Sequence, residues 1–283
     1  MIAERCRLPS EGIFKTGING WTFPSGTPWA EAARAARAAG FEALEPVLDA
    51  EGELSLLTDE SSCRRLGDQI REAGLEIAGL ATGLWWQTPL TSPDRAARQK
   101  ALELGVAALD RARWLGAPVL LVVPGVVGRW NAREPAVPYE EALSYAFNAL
   151  RTLSFEAEAR NVMIGIENVW SRFLLSPVEM RELIDHVNSA WVRAYLDVGN
   201  VLQFGYPQDW IQTLSTRIIR VHAKDYRLES GTPRGFCLPG DGDVDWPQVV
   251  AALRQIRYEG PVTYEGQGDL VEIRQRLDRV LSG

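Results

Sequence analysis

The sequence is poor in the side chains that perform thiol and imidazole chemistry, with three cysteines and two histidines in 283 residues. Cys6, Cys63 and Cys237 lie far apart, which excludes a CxxC pair, a thiolate metal spacing and a disulfide framework. Scattered thiols in odd number fit a reduced, cytoplasmic setting. Basic residues are in deficit too: 30 lysines and arginines stand against 37 aspartates and glutamates, for a formal net charge of -7. A nucleic-acid surface needs a basic stripe that displaces counterions, so nucleic acid is not an expected partner. The longest apolar stretch, 117–128, is broken by Pro118, Pro124 and Gly125, and no basic-apolar-small signal pattern opens the chain, so no membrane partner is expected either. Two ligand signatures also fail. Gly17-Ile18-Asn19-Gly20 lacks the dinucleotide GxGxxG spacing. Asp241-Gly242-Asp243-Val244-Asp245 begins like a calcium loop but puts Trp246 at the glycine position and Ala252 at the closing glutamate; Asp245 reads better as a helix cap.

What is present is a repeat of local pattern. Segments rich in Ala, Leu and Arg end in Gly40, Gly74, Gly116 and Gly260, and an apolar run follows each at once. Glycine past a helix end supplies the left-handed residue that turns the chain into a strand. The opposite junction shows as Thr27-Pro28, Ser92-Pro93 and Ser176-Pro177, each a capping hydroxyl before a proline suited to the first helical turn, and Ser176 with Glu179 forms a capping box. Strands are predicted near 15–19, 41–46, 75–81, 117–123, 162–167, 192–197, 218–223 and 261–265, with a helix after each. Eight such units without a linker predict an α/β chain folded as one (β/α)8 TIM barrel over residues 1–283.

Catalytic groups of such barrels sit at the carboxyl ends of strands. Four consecutive segments end conspicuously: Ile164-Gly165-Ile166 in Glu167, Ala194-Tyr195-Leu196 in Asp197, Ile218-Ile219-Arg220-Val221 in His222, and Val262-Thr263-Tyr264 in Glu265. Three carboxylates and one imidazole around one point repel one another without a cation, and they make a mostly oxygen site suited to one divalent metal, Mn²⁺ first, with Mg²⁺ or Co²⁺ as alternatives. Any one of the four alone reads as a salt-bridged or backbone-bonded strand end; the set of four does not.

These segments resemble the xylose isomerase-like superfamily of sugar isomerases and epimerases. The likeness runs from Thr16-Gly17-Ile18 to Tyr264-Glu265-Gly266 and rests on Ile166-Glu167-Asn168, Leu196-Asp197-Val198-Gly199-Asn200, Val221-His222-Ala223-Lys224-Asp225 and Pro239-Gly240-Asp241-Gly242. It implies that Glu167, Asp197, His222 and Glu265 bind the metal. It also implies, as in ketose 3-epimerases, that Glu167 and Glu265 exchange a proton on opposite faces of a metal-stabilised enediolate. Free-ketohexose epimerases carry a histidine three residues past the strand-6 aspartate, where this chain has Asn200; the pattern is closer to sugar-phosphate epimerases. The resemblance further implies a small sugar or sugar-phosphate substrate and a homo-oligomer, dimer or tetramer.

Lys224 shares the strand face of His222 and is a candidate for substrate oxygens, against an ion pair with a neighbouring carboxylate. Asn200 and Glu45 are further substrate candidates, Glu45 otherwise ordering a loop. Arg172, Arg227 and Arg234 stand in loops where a phosphate would need a cation, Arg172 being carried forward as a contact although surface arginines are common. Trp85, Trp86 and Trp130 fall at the same face, where aromatic walls suit sugars, with loop packing as the alternative. His186 lies in a helical stretch and reads as structural or exposed. The competing function is a metal-dependent lyase or dehydratase on a sugar-derived substrate. A trinuclear endonuclease site needs more than two histidines, and a non-catalytic sugar binder has no need of paired glutamates.

Overall fold

The computed structural model describes residues 14–282; Cys6 lies outside them. Eight parallel strands form one sheet: β1 (Thr16–Asn19), β2 (Ala43–Glu45), β3 (Glu76–Ile77), β4 (Val119–Val122), β5 (Met163–Glu167), β6 (Val192–Asp197), β7 (Ile218–Ala223) and β10 (Val262–Tyr264). A short antiparallel hairpin, β8 (Asp225–Tyr226) with β9 (Phe236–Cys237), follows β7. The helices are α1 (Trp29–Ala38), α2 (Glu60–Glu72), α3 (Arg95–Leu115), α4 (Tyr139–Arg160), α5 (Pro177–Val187), α6 (Val198–Val201), α7 (Pro207–Leu214), α8 (Trp246–Gln255) and α9 (Leu270–Leu281). The strand order β3-β2-β1-β10-β7-β6-β5-β4 curls until β3 meets β4. There Leu80 pairs with Leu120, Leu80 N donating to Val119 O at 2.8 Å and Leu121 N to Leu80 O at 2.9 Å. The result is a (β/α)8 barrel, and every expected strand range contains an observed strand.

Strand periodicity decides which side chains enter the barrel. Ile164 and Ile166, Ala194 and Leu196, Val221 and Ala223, and Val262 and Tyr264 pack outward in the main core beneath the helices. Their alternates therefore point inward: Gly165 and Glu167, Tyr195 and Asp197, His222, and Thr263. A second, smaller core of Val47, Ala81, Val119, Leu121 and Tyr195 fills the interior below the site. Tyr195 has room there because Gly165 faces it; a Cβ at Gly165 would lie 2.9 Å from Tyr195 Cδ2.

The helix-end expectations divide. Gly40, Gly74 and Gly116 adopt φ of 94°, 84° and 81°, as required of a left-handed terminator, whereas at α8 the left-handed residue is Arg257 (φ 56°) and Gly260 is not one. That helix ends earlier than the glycine suggests, since Tyr258 N already bonds Leu253 O at 3.0 Å. Ser176 forms the full capping box with Glu179, and Asp245 caps α8 by accepting from Gln248 N at 3.2 Å. The other two proline junctions do not cap. Thr27 donates its hydroxyl to Pro24 O at 2.7 Å, and at α3 the carboxylate of Asp94, nearer the first turn than Ser92, accepts from Ala96 N at 2.8 Å. No helix among the described residues is long and apolar enough to cross a membrane.

Candidate metal centre and active site

Registers Glu167↔Tyr195 and Asp197↔His222 set the ends of β5, β6 and β7 side by side, and β10 pairs with β7 through Thr263↔His222. Glu167, Asp197, His222 and Glu265 are thus brought together, each offering one ligand atom within 4.8 Å of the others. His222 turns Nδ1 to this group, 3.1 Å from Glu167 Oε1, 3.9 Å from Glu265 Oε2 and 4.0 Å from Asp197 Oδ2.

The backbone around the cluster is tied by Asn168 and Asp225, whose segments the sequence singled out without assigning them a task, and by the substrate candidate Asn200. Asn168 clasps β6 both ways: its Nδ2 donates to Asp197 O and its Oδ1 accepts from Asp197 N, both at 2.9 Å. Asn200 donates through Nδ2 to Asn168 O at 2.9 Å, while its backbone N–H reaches Asp197 Oδ1 at 2.8 Å. Asp225, fully buried, accepts four N–H donors: Tyr226 N, Val244 N, Gly240 N and Trp246 Nε1 at 2.8–3.0 Å. It thereby pins the loop that follows the β8–β9 hairpin.

Asp197 Oδ2 is buried with no hydrogen-bond partner and is directed at the cluster, 2.9 Å from the Lys224 ammonium without hydrogen-bond alignment. An orphaned buried carboxylate oxygen among two more carboxylates and an imidazole fits a divalent cation with hard oxygen preference. Lys224 also pairs with Glu265 Oε2, so it bridges the two carboxylates, the alternative weighed against substrate contact. It lines the cavity as well, which keeps a substrate contact open to it.

Burial pushes the Glu167 carboxyl up to about 7, against the hydrogen bond from His222 and with the neighbouring carboxylates of Glu265 and Asp197 adding to the rise. Asp197 is raised as well, chiefly by burial and in spite of Lys224. Burial would raise Glu265 too, but the Lys224 and His222 cations hold it below its ordinary value. For His222 burial favours the neutral ring, yet Glu45, Glu265 and Glu167 together raise it well above its ordinary value. The two glutamates at the edges of the cluster therefore differ in proton affinity, Glu167 high and Glu265 low.

Above the cluster opens a cavity of about 410 Å³ bounded by Trp21, Trp86, Trp130, Trp170 and Phe236, with Glu167, Glu265, Asn200, Lys224 and Arg129 among its polar walls. Trp21, Trp170, Phe236 and Arg129 were not anticipated; Phe236 arrives on β9, a strand of two residues that periodicity cannot reveal. Two substrate candidates need correction, and one tryptophan takes its packing alternative. Glu45 is fully buried and does not line the cavity: it lies beneath the site against His222 Nε2 at 2.7 Å. Arg172 has φ 55° and spends its guanidinium on the carbonyls of Arg129 and Trp130 (3.2 and 2.9 Å), so it buttresses the wall from outside. Trp85 is buried and donates Nε1 to Leu121 O at 3.0 Å, leaving Trp86 as the wall. Arg227 donates to Asp241 O at 3.0 Å, Arg234 is exposed, and His186 is exposed on α5 with its ring 4.5 Å from that of Phe147.

Residues 33–280 match the family model described as xylose isomerase-like TIM barrel. The chain is 29% identical over 243 residues to 2-epi-5-epi-valiolone 7-phosphate 2-epimerase of Actinoplanes sp., covering 85% of this chain and 82% of that one. It is 26% identical over 264 residues to L-ribulose-5-phosphate 3-epimerase UlaE of Shigella flexneri serotype 5b, covering 90% and 88%. Among solved structures, D-psicose 3-epimerase from Clostridium cellulolyticum H10 superposes with a TM-score of 0.74 at 16% identity, over 95% of this chain and 96% of that one, a likeness of fold.

Proposed function

Because the chain belongs to the xylose isomerase-like TIM barrel family, we propose that it is a divalent-metal-dependent epimerase that inverts the carbon beside the carbonyl of a small ketose or ketose phosphate. The observation that carries this reading is the pair Glu167 and Glu265, both facing the cavity from the outer strands of the arc β5-β6-β7-β10. A divalent cation on Glu167, Asp197, His222 and Glu265, Mn²⁺ by preference, would supply the positive charge that acidifies a carbon-bound hydrogen beside a carbonyl. One of the two glutamate carboxylates accepts that hydrogen as a proton and the other returns one from the other side of the arc. Removal on one side and return on the other inverts the centre. Lys224 and Asn200 stand at the cavity wall where substrate oxygens would lie, and the tryptophan walls exclude water and cover apolar sugar faces. The relatives' names support the same reaction type, since each describes an epimerase.

The test is proton NMR of Mn²⁺-treated protein, after metal removal from the quenched sample, in deuterated water with free and phosphorylated pentuloses and hexuloses. Deuterium entering C3 together with a new diastereomer is the expected result. Exchange at C1 with an aldose appearing, or no exchange with any member of the panel, would overturn it.

A further inference from the structure

Glu45 is used by none of the chemistry above, yet it is fully buried inside the barrel with every oxygen engaged. Oε2 accepts from Asn19 Nδ2 at 2.6 Å and lies 2.7 Å from His222 Nε2, and Oε1 accepts from the Tyr195 hydroxyl at 2.5 Å. The direction of these bonds is fixed from one end. Asn19 Oδ1 accepts the backbone N–H of Trp21 at 2.8 Å, so the amide must present its NH₂ to Glu45. Tyr195 likewise directs its hydroxyl at the carboxylate. With donors on both oxygens, Glu45 acts as an acceptor throughout, and the proton in the His222 contact belongs to Nε2.

We infer that Glu45 is a positioning residue for the metal ligand His222: it keeps a proton on Nε2, so that Nδ1 is the nitrogen that gives up its proton and is offered to a cation among Glu167, Asp197 and Glu265. The carboxylate–histidine pair spans the barrel from β2 to β7 and is anchored, through Asn19, on the first turn after β1. This inference rests on the metal-site reading above. Ring orientation and tautomer set by an outer carboxylate ordinarily change metal affinity about 10- to 100-fold when the carboxylate is lost.

The experiment uses the whole chain labelled with ¹⁵N-histidine, in which only two imidazoles give signals. His186 is exposed and is identified by H186Q. Wild-type protein should show a downfield, slowly exchanging ring N–H assigned to His222 Nε2 before any metal is added. Glu45→Ala should abolish it and weaken Mn²⁺ binding, measured by calorimetry, about 10- to 100-fold. Glu45→Gln should fall between the two, because the glutamine oxygen can still accept from Asn19 and His222 while its NH₂ turns to Tyr195. This variant keeps the volume and serves if the alanine variant does not fold. A merely structural Glu45 would lower the melting temperature in both variants and leave Mn²⁺ affinity within twofold of wild type; that result, or absence of the downfield proton in the wild type, overturns the inference. Wild-type protein that shows the proton but binds no Mn²⁺ instead overturns both the metal reading and the ligand role built on it.

Discussion

Replacing Lys224 by methionine should make the protein less stable without metal and bind metal more tightly. In the described structure the Lys224 ammonium lies 2.9 Å from Asp197 Oδ2 and pairs with Glu265, and together with His222 it balances a cluster of buried carboxylates. At an effective dielectric of 20, one such contact amounts to about 6 kcal/mol of gross attraction. Most of that is offset by desolvation, and deleting one partner of a buried pair costs about 3–5 kcal/mol because the other charge is left unbalanced. Taking the lower figure, the metal-free K224M protein should melt about 6–12 °C below wild type. A divalent cation restores the balance in the variant, whereas in the wild type it must first displace the ammonium. The difference corresponds to Mn²⁺ affinity higher by on the order of 100-fold, since each 1.4 kcal/mol is tenfold. The measurement is thermal unfolding and calorimetric titration at pH 8, above the Glu167 value of about 7, so that a proton does not take the place of the lost cation. Equal melting temperatures without metal, together with Mn²⁺ affinity equal to or weaker than wild type, would refute the reasoning.

Glu167→Gln and Glu265→Gln should each lower turnover by at least about 10²–10⁴ while the barrel stays folded, read by deuterium exchange beside circular dichroism; substantial activity in either would remove it from the proton-transfer role. Mn²⁺ affinity should rise with pH, because His222 is raised well above its ordinary value and must release its Nδ1 proton to a cation. One displaced proton gives about tenfold per pH unit, and the slope should steepen below pH 7, where Glu167 is also protonated; a flat profile between pH 6 and 8 contradicts this. Asp225→Asn keeps one acceptor oxygen and leaves two of the four N–H donors without a partner, at about 1–3 kcal/mol each, which urea unfolding should register as a loss of about 2–6 kcal/mol.

The barrel and its four candidate ligands were legible in the sequence because both are written locally. A run such as Ile164-Gly165-Ile166-Glu167 alternates between the outer core and the interior, so the polar residue that closes it falls inside at the mouth. What escaped was set by tertiary contact. Glu45 closes β2 just as Glu167 closes β5, but its partner His222 is 177 residues away, and nothing near position 45 indicates that the carboxylate sits under the site rather than in it. Trp85 and Trp86 are neighbours in sequence, and only the three-dimensional turn sends one into the core and the other to the cavity. Arg172 was placed in the correct loop, but its left-handed backbone turns the side chain back onto the wall. The Gly260 signal misled because an ordinary residue, Arg257, took the left-handed position three residues earlier.

The closing of the ring by the single Leu80–Leu120 bridge divides the barrel into unequal halves. Of the strands that carry the ligands, β5 has five residues, β6 and β7 six each and β10 three, whereas β2 has three and β3 two. Backbone breathing should therefore concentrate on the thin side, near the segments that supply Trp21 and Trp86 to the cavity, while β5, β6 and β7 keep the spacing of Glu167, Asp197 and His222. A lineage built on this scaffold can reshape the cavity wall by changing loops on that side and inherit the ligand arc intact, with Glu45 tying the adaptable half to the fixed one through both His222 and Tyr195.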